Sequence, residues 1–388
     1  MKRDAVSGML VSGVLMTGML LGAGCSTVDK INPFASAPRN KPAELTTFKA
    51  NVETKILWNN SVGGAGEFVF TPAVVGERVY AAGRDGRIYR FDNGKQIWRA
   101  DAATVISGGV GADAKVVVVS TPKGEVLAFD ADSGKPLWQA RVSSEVLAAP
   151  AVGNGLVVVR SGDSRIFGFE AASGQRRWVY QRSTPALSLR SNVGVTLGSG
   201  VVIAGFPGGK LVAIATNNGA AIWESTVSLP KGATELERVA DIASSAVVSG
   251  SEVCAAAFQG RVSCADLRTG GTLWSRDISS RAGLDIDSRY VYVSDDKGVV
   301  HALDRNSGGS VWRQDKLANR GLSRPLALGK LIAVADFEGY VHFLNSDDGN
   351  FVARQKTDGA EVMAEPQRAA GGMLVQTRKG GLHALGAH

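Results

Sequence analysis

The sequence contains few of several residue types, and each scarcity narrows the class of protein. Proline occurs only 12 times in 388 residues whereas glycine occurs 48 times, and the glycines follow no collagen-like period. This balance favours many short strands joined by turns. Basic residues exceed acidic ones by only 7 and form no run or stripe, which argues against nucleic acid as a partner. A long apolar run occurs at the N-terminus.

That run, residues 9–24, predicts a secretory signal peptide. Lys2 and Arg3 precede it, small residues end it, and its apolar core is too short to span a membrane as a helix. We therefore expect residues 1–24 to be absent from the mature chain.

The cysteine that follows the run predicts a lipid anchor. The stretch LLGAGC, which ends at Cys25, resembles a bacterial lipobox, with Gly22 where leucine is usual. Acyl chains on Cys25 would hold the protein stably on a membrane, and Ser26 favours the outer membrane over the inner one. Residues 25–46 would then be the lipidated cysteine and a flexible polar tether. The alternative is an ordinary cleaved signal followed by an incidental cysteine.

A repeat runs through the rest of the chain. The 7 tryptophans recur at intervals of 40, 40, 40, 45, 51 and 38 residues, and glycine stands four residues before each of the last six. An eighth copy, residues 339–353, keeps Gly349 but has Ala353 at the tryptophan position. Self-similarity at about 40 residues indicates a solenoid, a propeller or an array. The tryptophans are Trp58, Trp98, Trp138, Trp178, Trp223, Trp274 and Trp312.

Each repeat has the alternation of a four-stranded sheet. Residues 71–101 divide into TPAV, RVYAAG, GRIYRFD and KQIWRAD, separated by turns that contain glycine or asparagine. In the recurring D-x-x-x-G, the carboxylate accepts backbone N–H groups and the glycine supplies a positive φ. Both strand faces are apolar and each tryptophan buries roughly 150–250 Å², so the sheets are expected to stack around a ring as a β-propeller.

The two ends of the chain predict how the ring closes. Residues 364–386 supply three strands without a closing tryptophan strand, and TKILWNN, which contains Trp58, supplies the missing one. Pairing these ends removes two sheet edges that would invite aggregation. We therefore predict an all-β fold over residues 47–388: an eight-bladed β-propeller of four-stranded antiparallel blades, closed by the N- and C-terminal strands.

Two sets of residues could carry metal or redox chemistry. His301, His342 and His383 occupy one repeat position on consecutive blades, about 10 Å apart, which is too far for ligands of one ion. No metal is therefore expected. Cys254 and Cys264 flank a hairpin turn: a three-residue loop would set them opposite each other for a disulfide, whereas a two-residue loop would point them to opposite faces. Buried free thiols are the alternative to the bridge.

The repeat G-x-v-x-A-x-D-x-x-x-G-x-x-x-W resembles the tryptophan-docking repeat of quinoprotein dehydrogenases. The stretches PALSLRSN, ATELERVADI, FQGRVSCADLRTG and FEGYVHFLNSDDGNFVARQKTD resemble the BamB family, lipoproteins of the bacterial β-barrel assembly machinery, the BAM complex. This resemblance implies an outer-membrane scaffold, lipid-anchored and facing the periplasm, with neither catalysis nor cofactor. It also implies binding to the POTRA domains of BamA to promote folding and insertion of outer-membrane β-barrels. Whether the propeller also contacts unfolded outer-membrane protein chains stays open.

Two long repeat intervals locate the predicted partner site. The 178–223 and 223–274 intervals exceed 40 residues by five and eleven, and both insertions follow an outermost strand, so they should share one rim. Exposed leucines beside an arginine make an interface anchor; the alternative is that the leucines cap the propeller's own core. The resemblance implies a BamA contact region at Leu187, Leu189, Arg190 and Asp241, with Ala243 replacing the family's usual second acidic residue.

An enzyme is the rival function. A quinoprotein dehydrogenase dependent on pyrroloquinoline quinone (PQQ) needs a calcium ion in the central channel, a catalytic aspartate and, usually, adjacent cysteines. The sequence has no Cys-Cys pair, and the repeat aspartates belong to turns. Since a fold alone does not carry a function, we predict a non-catalytic scaffold.

Overall fold

The computed structural model describes residues 41–387, so the predicted signal peptide, Cys25 and most of the predicted tether lie outside the described residues. Within residues 41–387 the chain forms 32 strands and no helix, and hence no helix that could cross a membrane. The strands make eight separate four-stranded antiparallel sheets, which are the predicted blades.

The strands of the first half of the chain follow one another in short segments. They are β1 (Thr54–Ser61), β2 (Ala73–Val75), β3 (Arg78–Ala82), β4 (Arg87–Asp92), β5 (Lys95–Asp101), β6 (Gly108–Ala112), β7 (Val116–Ser120), β8 (Glu125–Asp130), β9 (Pro136–Arg141), β10 (Ala151–Gly153), β11 (Leu156–Arg160), β12 (Ile166–Glu170), β13 (Arg176–Tyr180), β14 (Val195–Leu197), β15 (Val201–Phe206), β16 (Lys210–Ala215) and β17 (Ala221–Thr226).

The second half continues the same pattern. Its strands are β18 (Val247–Ser249), β19 (Glu252–Ala256), β20 (Val262–Asp266), β21 (Thr272–Arg276), β22 (Gly283–Ile286), β23 (Tyr290–Ser294), β24 (Val300–Asp304), β25 (Ser310–Gln314), β26 (Leu326–Leu328), β27 (Leu331–Ala335), β28 (Tyr340–Asn345), β29 (Phe351–Lys356), β30 (Gln367–Ala369), β31 (Gly372–Gln376) and β32 (Gly381–Ala387).

Seven blades use four consecutive strands each, from β2–β5 as blade 1 to β26–β29 as blade 7. Blade 8 has the order β1-β32-β31-β30, so the first strand of the chain completes the last sheet. The pairing of β1 with β32 runs from Thr54 opposite Ala387 to Ser61 opposite Gly381. The predicted eight-bladed fold and its closure are thereby confirmed.

The core consists of apolar layers between neighbouring blades. One such layer joins Tyr80 and Ile88 of blade 1 to Val117 and Phe129 of blade 2, and the layer that closes the ring joins blade 8 to blade 1. Because each blade is apolar on both faces, every sheet contributes to two layers, as stacked sheets require.

Each tryptophan packs onto the blade that follows its own. Trp138 of β9 lies on Gly174 in the turn after β12, where an added Cβ would stand 2.5 Å from the indole. The indole N–H of Trp138 donates to the carbonyl of Ala171, 2.8 Å away. Equivalent bonds link five further tryptophans, Trp98, Trp178, Trp223, Trp274 and Trp312, to the following blade. The tryptophans therefore join neighbouring blades by packing and by hydrogen bonds.

The turn between the third and fourth strands has the predicted chemistry. A carboxylate oxygen of Asp130 accepts the Ser133 N–H at 2.7 Å, and Gly134 adopts φ +69°. The Ser133 hydroxyl donates to the same oxygen at 2.6 Å, and this bond together with the N–H bond holds the pKa of Asp130 below its ordinary value. The aspartates of the repeat therefore shape turns.

Ala353 replaces tryptophan because its neighbouring blade has no such turn. In blade 8 the third and fourth strands, β32 and β1, are the ends of the described chain and no turn joins them. Residues before β1 cover β29 instead: Phe48 stacks on Phe351 with ring centroids 5.4 Å apart, and Asn51 N–H donates to Val352 O at 3.1 Å.

The covering segment begins earlier than the predicted tether ends. Ala43 N–H donates to Ala318 O at 2.8 Å, and Arg354 donates to Thr46 O at 3.1 Å. The predicted boundary between residues 46 and 47 is therefore corrected: residues 43–52, here called the N-terminal strap, pack along blade 7. The physical reason is that Phe48 and the strap's backbone bonds stabilise an outer strand without a tryptophan.

Candidate functional site

One rim of the propeller carries all the connections between blades. Four antiparallel strands return the chain to the rim at which the blade began, so these connections share a rim with the turns between second and third strands. We call it the connection rim. Its long loops include residues 181–194, between β13 and β14, and residues 227–246, between β17 and β18; together they are called the rim patch.

Leu187 and Leu189 differ in exposure although they alternate with Ser188. The Leu187 side chain is 40% exposed, whereas Leu189 is partly buried. The Leu189 N–H donates to a carboxylate oxygen of Asp241 at 2.7 Å, which fixes the middle of the loop. The loop therefore presents Leu187 to solvent on a backbone held from below.

Asp241 is a buried residue of the 227–246 loop. It is 3% exposed, and its second oxygen accepts the Gly208 N–H at 3.0 Å. A carboxylate with both oxygens bonded to backbone amides inside the protein positions those amides. Asp241 thus joins the 227–246 loop to the 181–194 loop and to a blade 4 turn, and its contact with a partner stays a prediction.

Arg190 is held by a residue that sequence reasoning missed. Its Nε and a terminal nitrogen donate to the two oxygens of Glu145 at 2.9 and 2.7 Å, while the Arg190 side chain remains 61% exposed. The hydrogen bonds from Arg190 lower the pKa of Glu145. Glu145 lies 45 residues earlier, in the connection between β9 and β10, and no sequence signal marks it. The paired arginine bridges two connections of the rim.

The second loop presents its own leucines. Leu229 is 64% and Leu236 is 71% exposed. The turn that carries Leu236 is ordered by Glu237, whose carboxylate accepts the Ala233 and Thr234 N–H groups at 2.8 and 3.1 Å. The rim patch thus combines exposed apolar side chains with locally fixed backbone, as protein-binding surfaces do.

Each of the three repeat histidines lies beside a carboxylate. Asp295 and Asp336 belong to the blades of His301 and His342, whereas Asp358, beside His383, lies in the connection between blades 7 and 8. The nearest nitrogen–oxygen distances are 2.9 Å for His301 to Asp295 and for His342 to Asp336, and 3.8 Å for His383 to Asp358. Among residues 41–387, no group of three histidine, cysteine or acidic side chains has the arrangement of a metal site.

Cys254 and Cys264 lie directly opposite each other in β19 and β20, with Cα atoms 4.0 Å apart, and a disulfide joins them. The intervening turn therefore has the register that permits a bridge, and both cysteines are buried between blades 5 and 6.

Comparison with known proteins shows the family to which this chain is related. A sequence profile described as "Outer membrane protein assembly factor BamB" matches residues 84–314 and 296–388. A relative so named from Bordetella pertussis (strain Tohama I) is 44% identical over 386 residues, 98% of each chain. The crystal structure of BamB from Moraxella catarrhalis superposes with a TM-score of 0.80 at 28% identity, over 86% of this chain and 100% of that one.

Quinohemoprotein alcohol dehydrogenase from Comamonas testosteroni is similar in fold alone. It reaches a TM-score of 0.68 at 13% identity, over 86% of this chain and 76% of its own. The tryptophan-docked blades define this chain as a β-propeller of PQQ-like repeats. Within that class, the chain belongs to the BamB family of outer membrane protein assembly factors.

Proposed function

We propose that this chain promotes the assembly of outer-membrane proteins as a non-catalytic scaffold whose rim patch docks on the periplasmic POTRA domains of BamA. Membership of the BamB family supports the assembly role and association with the outer membrane. The proposal further has the chain anchored there by lipid on Cys25, with the propeller facing the periplasm.

The observation that carries the docking proposal is the fixed, exposed 181–194 loop. Its backbone is bonded to buried Asp241, and Arg190 is bonded to Glu145. Because these contacts order the loop before binding, little conformational entropy is lost when a partner covers Leu187. Leu187 belongs to none of the apolar layers on either side of blades 3 and 4, so we assign its exposed side chain to contact with a partner.

A binding titration tests the docking proposal. The mature chain carrying Cys25→Ser, which has no lipid, is titrated with the POTRA domains of BamA by calorimetry. Leu187→Asp should weaken binding by about tenfold or more, as expected for a buried apolar anchor, and should leave the melting temperature unchanged because Leu187 is exposed. Ile222→Asp, at a 53% exposed position of β17 in an outer strand, is the matched control and should bind normally.

A charge exchange separates contact from positioning at Arg190. Arg190→Glu alone should abolish binding, and Glu145→Arg with Arg190→Glu restores the intramolecular pair with its sign reversed. The proposal expects no rescue, because the exposed guanidinium itself meets the partner. Full rescue of binding by the double exchange would make Arg190 a positioning residue only. In the titration above, weaker binding by Ile222→Asp and normal binding by Leu187→Asp would place the docking surface elsewhere.

A further inference from the structure

Arg160, at the end of β11, is a cation without a bonded counter-ion. Its guanidinium lies over the ring of Phe206, 5.3 Å from the centroid, and donates to the carbonyl of Gly205. Within the described part of the chain its other side-chain nitrogens donate no hydrogen bond, and it forms no ion pair. Partly buried arginines elsewhere on the rim, such as Arg324, do have carboxylate partners.

Arg160 opens into a cavity beneath the 181–194 loop. The cavity has a volume of about 150 Å³, which is enough for one carboxylate side chain. Its remaining polar lining consists chiefly of hydroxyl groups and of the Arg190–Glu145 pair; the residues that carry the hydroxyls are Ser161, Ser164, Ser188 and Ser191. The Ser161 hydroxyl already donates to Asp163, whereas the hydroxyls of Ser164, Ser188 and Ser191 can each donate a hydrogen bond to an anion.

Glu145 lines the cavity with Arg160, and Asp241 acts on Arg160 through space, but both carboxylates are already bonded elsewhere. Both oxygens of Glu145 receive Arg190, and both oxygens of Asp241 receive backbone amides. Asp241 favours the charged form of Arg160 through space, while burial lowers the pKa of the Arg160 guanidinium to about 10. Arg160 is therefore still protonated at neutral pH, and its charge faces the cavity.

Keeping such a charge costs folding free energy. A partly buried cation without a bonded carboxylate loses part of its hydration, and an apolar side chain of similar length would fill the same space without this penalty. A residue that weakens the fold at a rim cavity is a candidate for binding.

We propose that Arg160 receives the carboxylate of an aspartate or glutamate side chain from the protein that docks on the rim patch. This inference rests on the proposed function, since the cavity opens beside Ser188 and Arg190 of the docking loop. The incoming carboxylate accepts hydrogen bonds from the guanidinium and from the cavity hydroxyls, in the geometry that arginine and carboxylate favour.

The test compares binding with stability in Arg160→Met, which keeps the length and packing of the side chain but removes the charge. Titrated with the POTRA domains of BamA, it should bind at least about tenfold more weakly, and its binding should depend less on salt. Its melting temperature should equal or exceed that of the parent chain. Arg276→Met is the matched control, because Arg276 likewise donates to backbone carbonyls, those of Gly308 and Ser307, but lies in the outer strand β21, outside the rim patch; it should bind as the parent does.

Three outcomes would overturn the inference. If Arg160→Met binds normally while Leu187→Asp does not, Arg160 has no part in docking although the proposed function stands. If Arg160→Met and Arg276→Met weaken binding equally, the general positive charge of the propeller is responsible and the cavity is not. If millimolar phosphate stabilises the parent but not Arg160→Met, and binding is unaffected by the substitution, the cavity holds a free anion. If both Leu187→Asp and Arg160→Met bind as the parent does, the proposed function itself is refuted.

Discussion

At the scale of single residues, the contact between tryptophan and glycine repeats most regularly around the ring. Seven glycines with positive φ lie under the seven tryptophans, from Gly94 under Trp58 to Gly349 under Trp312. The glycine has two roles, because its backbone lies where other residues are strained and its missing side chain leaves room for the indole. The two roles can be separated within one blade.

Gly174→Ala and Gly155→Ala make that separation. Both glycines belong to blade 3 and have nearly equal φ, +71° at Gly174 and +73° at Gly155. A Cβ added at Gly174 would stand 2.5 Å from Trp138, whereas a Cβ added at Gly155 would meet nothing within 4 Å. Gly155→Ala should cost about 1 kcal/mol of unfolding free energy, the backbone cost alone. Gly174→Ala should cost about 2 kcal/mol more, since the indole must move. Denaturant titration measures both; equal losses would mean that the tryptophan contact contributes little.

The same scale separates what sequence could predict from what it could not. Tryptophan and glycine recur at fixed spacing, so their roles follow from the repeat. Asp241 and Arg160 do not recur, and their environments depend on backbone amides and on a ring brought from other blades. The sequence therefore predicted that the two long loops share one rim, but it gave no sign of the bonds that Asp241 makes within the rim or of the cavity at Arg160.

At the scale of elements, the N-terminal strap depends on a buried charged cluster on blade 7. His342 is fully buried and contacts Asp336 through Nε2 at 2.9 Å, while its Nδ1 accepts a hydrogen bond from Arg354 at 3.0 Å. Arg354 in turn holds Thr46 of the strap, and Arg320 holds Ala43. This arrangement requires a neutral His342 with a free lone pair on Nδ1.

The groups around His342 determine its response to acid. Asp336 favours the protonated imidazole, whereas Arg320 and Arg354 oppose it; Glu338 pairs with Arg320, and the Tyr340 ring lies beside the histidine. Burial is the largest influence and lowers the pKa of His342. As pH falls, His342 therefore takes up its proton in the unfolded chain before it does so in the folded chain. The contribution of neutral His342 to the free energy of unfolding is complete above about pH 6.5 and decreases as pH drops below it.

Acid should accordingly loosen the strap. Between pH 7.5 and 5, amide hydrogen exchange across residues 43–52 should accelerate relative to blade 3, because a proton on Nδ1 displaces Arg354. His342→Gln, whose amide accepts from Arg354 and donates to Asp336 without titrating, should abolish this relative change. His301→Gln, in blade 6, is the control and should keep it. An unchanged strap at pH 5 in the parent chain would refute the dependence on His342.

At the scale of the whole molecule, the sequence predicted the architecture because the information is periodic. Blade number, strand order and the closure of the ring by β1 and β32 follow from repeat spacing and from the incomplete repeats at the two ends. The strap has no periodic partner: Phe48 meets Phe351 from 303 positions away in the chain, and a single sequence does not encode that pairing as a pattern. Ala353, at the one repeat position without tryptophan, is the sequence feature that sets apart the outer strand that the strap covers.

The central claim is that the connection rim, and not the outer strands, meets BamA. Site-specific photocrosslinking tests it most directly, with a photoreactive amino acid placed in the full-length protein at Leu187 or, in a separate strain, at Ile222. Both positions are exposed, at 40% and 53%, so reactivity toward solvent is comparable and only the neighbouring protein differs. The account predicts a crosslink to BamA from position 187 and none from position 222. A crosslink to BamA from position 222, with none from position 187, would contradict it.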